Sequence, residues 1–366
     1  AMLRTRTRRL PLVLFVIGSS SLLCQGFIVP GPVTLLASSS SARASCTSFG
    51  RTIPAKTLRM TATSTEAGSS GTQEGFGNIL ILDHVNINHE KGRHDVLKAF
   101  YYDVLGCAVD PRKIENIEKG RKTLWANAGI NQLHLPEEDS AQVLAGKMIL
   151  EYSSIENVAK RLASPPAVLQ GTKFAWKARS DGGLDVTCPW GNTFELRPNG
   201  VRDERGVQPG EESEPLGMPE VHIDVPHDKS MGGIARFYRD LVGAHVHEEG
   251  DGEVVRVKCG PRQELVFTRR EEGHAVRHSD YHISMYVSDF SGMFRRMEQR
   301  GLIFVNPRFK RRARTLPEAQ AQCMFRVRDL IDPGSAEAPP SLVLEHEIRS
   351  PLNVDGTPYK SCPFRT

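Results

Sequence analysis

The chain has no acidic residue before Glu66, no C-x-x-C among its seven cysteines, and no apolar run long enough to span a bilayer. Each absence excludes something. Cys24 and Cys46 fall in the acid-free leader, and Cys107, Cys188, Cys259, Cys323 and Cys362 are dispersed and odd in number. That is neither a disulfide framework nor a zinc knuckle, and it suits small buried thiols in a reducing compartment. The net charge of +4 is misleading, because eight of the 47 basic residues precede Glu66. The remainder carries 39 Lys and Arg against 43 Asp and Glu, a weakly acidic body that excludes nucleic acid as the main partner. At 366 residues, 39% apolar and 25% charged, the chain has the length and composition for two globular domains with sizeable cores.

What the leader does contain is ordered in series. Met2 precedes an arginine-rich patch and the apolar run "LPLVLFVIGSSSLL", too short and too serine-broken for a membrane span but suited to a secretory signal core. Cleavage after Gly26 would leave Cys24 and Gly26 as the small residues and Phe27 as the new terminus. Residues 27–65 are rich in Ser, Thr and Ala, with four basic residues and no acid. Residues 1–26 are therefore read as a signal peptide, and 27–78 as a transit peptide with a disordered linker. The series resembles the bipartite plastid presequence of algae with complex plastids and implies the plastid stroma, the secretory pathway being the alternative.

The body repeats itself. Residues 100–106 read "FYYDVLG" and residues 237–243 read "FYRDLVG". Each closes an amphipathic helix and ends in a glycine. Each helix follows a strand carrying a histidine: "LDHVNINH" with His84, and "EVHIDVPH" with His222. The offsets nearly coincide, 137 for the helix ends and 138 for the histidines. Short strands follow in both, giving β-α-β-β-β. Two more units fit this template, one from Gly146 with "KMILEYSS", "IENVAKRLAS" and "NTFELRP", the other from Asp280 to "SLVLEHEIRSP". In the last of these, "HISMYV" alternates as a strand, with His282, Ser284 and Tyr286 on one face. Ser288 or Asp289 caps the helix that follows, which presents Phe290, Met293, Phe294 and Met297 and ends at Gly301. The four units span about 79–136, 145–199, 217–271 and 279–350.

This pattern resembles the vicinal oxygen chelate superfamily, which includes glyoxalase I, extradiol dioxygenases and bleomycin-resistance proteins. "CPWGNTFELRP" is similar to the family's final-strand motif. The resemblance implies an α+β fold with four βαβββ units paired into two glyoxalase-like domains, 79–199 and 217–350. A linker at 200–216 joins them, and 351–366 forms a C-terminal tail. The family places metal ligands on the first and last strands of each unit. In the second domain the matching positions are His222, Glu264, His282 and Glu345, which suit a divalent ion such as Ni, Zn, Co, Mn or Fe(II). The first domain offers His84, His134, Lys147 and Glu195. A lysine at 147 would pair with Glu195, so this set reads as degenerate. If unit 1 pairs instead with unit 4, the site becomes His84, His134, His282 and Glu345.

Three functions stay open. A glyoxalase I-like lyase or isomerase would hold two neighbouring substrate oxygens, as in a methylglyoxal–glutathione hemithioacetal, with glutathione as co-substrate and Glu345 or Glu264 moving the proton. Arg308, Lys310, Arg311 and Arg312, in the run "RFKRRAR", would receive a substrate anion. An extradiol-type iron(II) dioxygenase is the second reading. It is weakened because no histidine lies between Ile283 and Glu345, and the one tyrosine there is Tyr286. A small-molecule-binding protein without catalysis is the third. The expected partner is a small-molecule substrate, with no nucleic acid and no stable membrane insertion once the presequence is removed, and the chain would be a monomer or homodimer.

Overall fold

A computed structural model describes residues 77–120, 123–203, 205, 212–335 and 339–364. The presequence expected over 1–78 lies almost wholly outside them.

Unit 1 runs β1 (Ile79–Asn86), β2 (His89–Glu90), α1 (His94–Lys98) widening into a π-helical stretch (Ala99–Val104), β3 (Ala108–Val109), α2 (Ile114–Glu118), β4 (Thr123–Ala128) and β5 (Asn131–Glu138). Unit 2 holds β6 (Gly146–Tyr152), α3 (Glu156–Ala163), β7 (Ala175–Ala178), β8 (Leu184–Thr187) and β9 (Thr193–Arg197). Unit 3 follows β10 (Pro215–Gly217) with β11 (Glu220–Val225), α4 (Met231–Arg236) with its own π-helical stretch (Phe237–Val242), β12 (Val246–Glu249), β13 (Val254–Lys258) and β14 (Glu264–Arg269). Unit 4 contains β15 (His282–Val287), α5 (Phe290–Glu298), α6 (Leu316–Gln322), β16 (Met324–Leu330) and β17 (Leu342–Arg349). It has two strands after its helix where the template has three. In the third position Ile303 makes an isolated bridge to Val327, and Phe304 N–H donates to Arg326 O.

The strands form two sheets whose membership crosses the chain order. One sheet runs β16-β17-β15-β1-β5-β4-β3, with β2 on β5. The other runs β12-β13-β14-β11-β6-β9-β8-β7, with β10 on β6. Unit 1 is thus hydrogen-bonded to unit 4, and unit 2 to unit 3. Neither sheet lies within one of the spans 79–199 and 217–350. The α+β class with two mixed sheets is plain from this order.

Packing between consecutive units explains how crossed sheets hold together. Phe100 of unit 1 meets Phe174 and Phe194 of unit 2 with ring centroids 6.2 and 5.7 Å apart. Tyr152 O–H donates to Leu105 O. In the other half Arg236 pairs with Asp332, and Arg296 donates to Leu241 O. One continuous apolar core includes residues from all four units, so neither half could part from the other without exposing it. Where the sheets meet, Gly260 (φ +80°) sits so close to Leu80 that a Cβ would stand 2.1 Å from its carbonyl oxygen.

Local chemistry sets the elements that matter here. Asp289 caps α5 by accepting from Gly292 N–H at 2.9 Å, and the helix buries Phe290, Met293, Phe294 and Met297. All six residues of β15 are buried, because α5 covers one face and the cup formed with unit 1 covers the other. The five cysteines among the described residues are free thiols. No described helix is long and apolar enough to cross a membrane.

His346, on the helix-facing side of β17, is wholly buried and held neutral. Its Nδ1–H donates to Leu344 O at 2.7 Å and its Nε2 accepts from Tyr238 O–H at 2.6 Å. Burial pushes its pKa down to about 4. The unfolded chain protonates this imidazole below about pH 6.5 and the folded chain only below about 4, so its share of stability is full above 6.5 and is lost as pH falls through that window. Denaturant unfolding of wild type from pH 7 to pH 4 should show a loss, and His346→Gln should remove about 3 kcal/mol of it. An unchanged pH slope in the variant would refute the assignment.

Candidate metal centre

The crossed pairing brings β1 and β15 together as antiparallel neighbours at the centre of the first sheet. β5 flanks β1 and β17 flanks β15, both in parallel register. Side chains of one face of these four strands converge on a cavity of about 860 Å³. On its floor lie His84 from β1, His282 from β15 and Glu347 from β17, all nearly solvent-free, each offering a donor atom within 4.8 Å of the others. Among the described residues this is the one such group of three or more.

A bulge makes the first ligand position. The register of β1 against β15 shifts between Leu82 and His84, so Asp83 and His84, consecutive residues, both line the cavity. Asp83 then accepts from His84 Nδ1–H at 2.7 Å, which leaves Nε2 as the imidazole's lone pair. A carboxylate behind a histidine in this way fixes its tautomer and ring orientation. Burial lowers the pKa of His84, His134 and His282, the last two well below the usual histidine range, so all three are neutral. Burial alone would raise Glu347, but Arg349 and Arg326 pull it well below the usual carboxylate range. Its Oε1 receives Arg349 Nε at 2.5 Å, its Oε2 is bonded to Arg326, and His282 Nε2 stands 3.7 Å from that same Oε2.

These features fit a divalent ion. Two neutral imidazoles and one ionised carboxylate are a suitable donor set. Asp83, Glu345 and Glu347 face two guanidiniums, Arg326 and Arg349, so the buried group carries one uncompensated negative charge.

His134 completes the row of imidazoles without joining the group of three. It stacks on His84 with centroids 3.7 Å apart, and Trp125 stacks on its other face at 4.0 Å and 9°. Gln132 fixes its tautomer. The Gln132 amide N–H groups donate to Asp110 and Asn127, so the amide oxygen faces His134 Nε2, which must donate to it at 3.0 Å. His134 Nδ1 is left as an acceptor.

The four-residue set His222, Glu264, His282 and Glu345 is not assembled. His222 and Glu264 belong to the other sheet, because β11 and β14 pair with unit 2. There His222 bonds Glu220 at 2.6 Å, and Glu264 is held by Arg256 at 2.9 Å and Lys258 at 3.2 Å. Lys147 Nζ lies 2.5 Å from Glu195, which Arg197 also grips at 2.6 Å. Glu264 and Glu195 are committed to cations and His222 to a carboxylate, and His84 and His134 stand apart from Lys147 and Glu195 in the other sheet. Glu345 is opposite His282 in the strand register, but Arg326 and Asn306 hold its two oxygens. The carboxylate beside the imidazoles is Glu347, two residues further on the same face of β17. The sequence "LEHE" offers both, and nothing in its alternation separates them. Arg308, Lys310 and Arg311 line the cavity, whereas Arg312 is spent on the carbonyls of Pro307 and Phe309.

Asp83→Asn should weaken metal binding about 10- to 100-fold by isothermal titration, because it removes the charged partner of His84 while keeping the shape. An affinity within twofold of wild type would mean that His84 is not a ligand.

No family model and no curated protein matches the chain. Among solved structures, glyoxalase I from Zea mays aligns with a TM-score of 0.46 at 12% identity, over 74% of this chain and 92% of that one. A putative dioxygenase from Bacillus subtilis aligns with a TM-score of 0.45 at 15% identity, over 76% and 89%.

Proposed function

We propose that the cup between units 1 and 4 is the active site of a metal-dependent enzyme acting on a small substrate that presents two neighbouring oxygens, with glyoxalase-type lyase or isomerase chemistry. The convergence of His84, His282 and Glu347 on one buried point, open to a cavity, carries this reading. A divalent ion held there would act as a Lewis acid on the substrate oxygens. His84 and His282 offer neutral nitrogens to it, Glu347 offers its ionised carboxylate, and Arg326 and Arg349 keep that carboxylate in place.

Proton movement falls to His134 in this scheme. Its Nδ1 is the acceptor that Gln132 leaves free, its ring is clamped between Trp125 and His84, and it lines the cavity. Glu264 belongs to the other sheet, and both oxygens of Glu345 are engaged, so neither is suited to the task. A methylglyoxal–glutathione hemithioacetal is the first substrate to assay. All strands of the cup come from one chain, so the site needs no second copy.

One observation favours iron(II) dioxygenase chemistry as a second reading. The donor set is two histidines and one carboxylate, the arrangement of oxygen-activating iron sites, and His134 supplies an acid–base group that the sequence between Ile283 and Glu345 lacks. Oxygen uptake by the Fe(II)-loaded protein with a catechol separates the two.

Metal content by mass spectrometry tests the site itself. Full-length protein reconstituted with Ni, Zn, Co or Fe(II) should hold about one ion per chain. His84→Ala and His282→Ala should both lose it, and His222→Ala should keep it. Retention in His84→Ala would overturn the unit 1 and unit 4 site. His134→Gln should keep the metal and lower kcat about 100-fold or more, as expected for loss of a general base. Unchanged turnover in that variant would remove His134 from the mechanism.

A further inference from the structure

The charges lining the cavity run against those of the rest of the chain. Beyond the leader the body is acidic, yet the cavity is lined by seven Lys and Arg and only four Asp and Glu. Pairing sorts these groups by depth. Asp110 holds Arg112 at 2.7 Å, Glu138 holds Arg308 at 2.7 Å, and Asp83 and Glu347 share Arg349 and Arg326. Three cations are left over: Lys310, Arg311 and Lys360. Among the described residues no carboxylate lies within ion-pair distance of any of them.

These three come from two separate segments brought to one edge. Lys310 and Arg311 are consecutive in the unit 4 insert, and the Arg311 guanidinium lies over the Tyr359 ring at 5.6 Å, next in sequence to Lys360. The tail carrying Lys360 is fastened to the sheet. Tyr286 O–H donates to Ser361 O, Phe364 packs edge-on against Tyr286, and Tyr359 is buried. Arg311 is thereby tied to the fastened tail, and Lys310 and Lys360, both exposed, are the chain neighbours of the two partners of that contact at the cavity wall.

We propose that the ligand of this cavity is a small organic polyanion whose carboxylate or phosphate group is received by Lys310, Arg311 and Lys360, while its oxygen-bearing end reaches toward the imidazoles. This rests on the reading of the cup as the active site, and adds the class of substrate. A neutral substrate would leave three cavity-lining cations unmatched, whereas an anion with a second acidic group neutralises them through charge-assisted hydrogen bonds.

The test uses pyrophosphate and inorganic phosphate as probes on the full-length, metal-free protein, by isothermal titration at 50 and 200 mM NaCl. Pyrophosphate should bind more tightly than phosphate and weaken with salt. The triple variant Lys310→Gln, Arg311→Gln, Lys360→Gln should lose at least tenfold in pyrophosphate affinity. A control removing the exposed Lys91, Lys119 and Lys160 in the same way should lose less than threefold, which separates local binding from net charge. Thermal unfolding of each variant confirms folding, and its metal content is measured in parallel. Equal pyrophosphate affinity in the triple variant and wild type overturns the proposal, as does no binding by wild type. Loss of anion binding in a triple variant that keeps its metal supports it. If wild type holds no metal yet binds pyrophosphate through these three residues, the anion site stands and the metal-enzyme reading falls.

Discussion

Everything at the candidate site depends on one strand pairing, β1 against β15. These strands lie more than 190 residues apart in sequence, and their antiparallel ladder puts His84 beside His282 at the centre of an eight-stranded sheet. The bulge in that ladder adds Asp83 to the same face. Without the bulge, strict alternation would turn Asp83 toward the helices and leave His84 Nδ1 without its carboxylate. A single register irregularity thereby sets the tautomer of a candidate metal ligand.

Burial and charge are balanced differently in the two sheets. In the first, two guanidiniums hold the carboxylates of β17 and the imidazoles are kept neutral by desolvation, so lone pairs face the cavity. In the second, Lys147, Arg179 and Arg197 surround Glu195, while Glu220 takes His222. Ion pairs of that kind satisfy their own groups and leave nothing to offer a ligand. Corresponding polar positions of the repeated units thus have two outcomes, decided by whether cations or imidazoles face the carboxylates.

The residues around the floor extend this logic outward. Trp125, His134 and His84 form a continuous stack, and Lys113 and Arg112 lie over the far face of Trp125 at 4.2 and 4.8 Å. That row fixes the ring of His134 without committing its Nδ1. Phe309 from the unit 4 insert closes the other side, edge-on to His282 and under the Arg326 guanidinium. The insert therefore forms part of the cavity wall.

The sequence by itself determined the four repeated units, the helix-facing apolar residues and the strand positions of His84, His134 and His282, because periodicity of 2 and 3.6 is local information. It also carried both candidate pairings, with units 3 and 4 together or units 1 and 4. Only the tertiary structure decided between them, since sheet partnership is a long-range choice fixed by packing across the core, here by contacts such as Phe100 on Phe194 and Tyr238 on His346. The choice of Glu347 over Glu345 was equally beyond local pattern. The two share a face of β17, and what separates them is which side chains of β16 and the insert reach each one. Alternation can place a carboxylate on a face, but only the assembled neighbours decide whether it is held away or left beside the histidines.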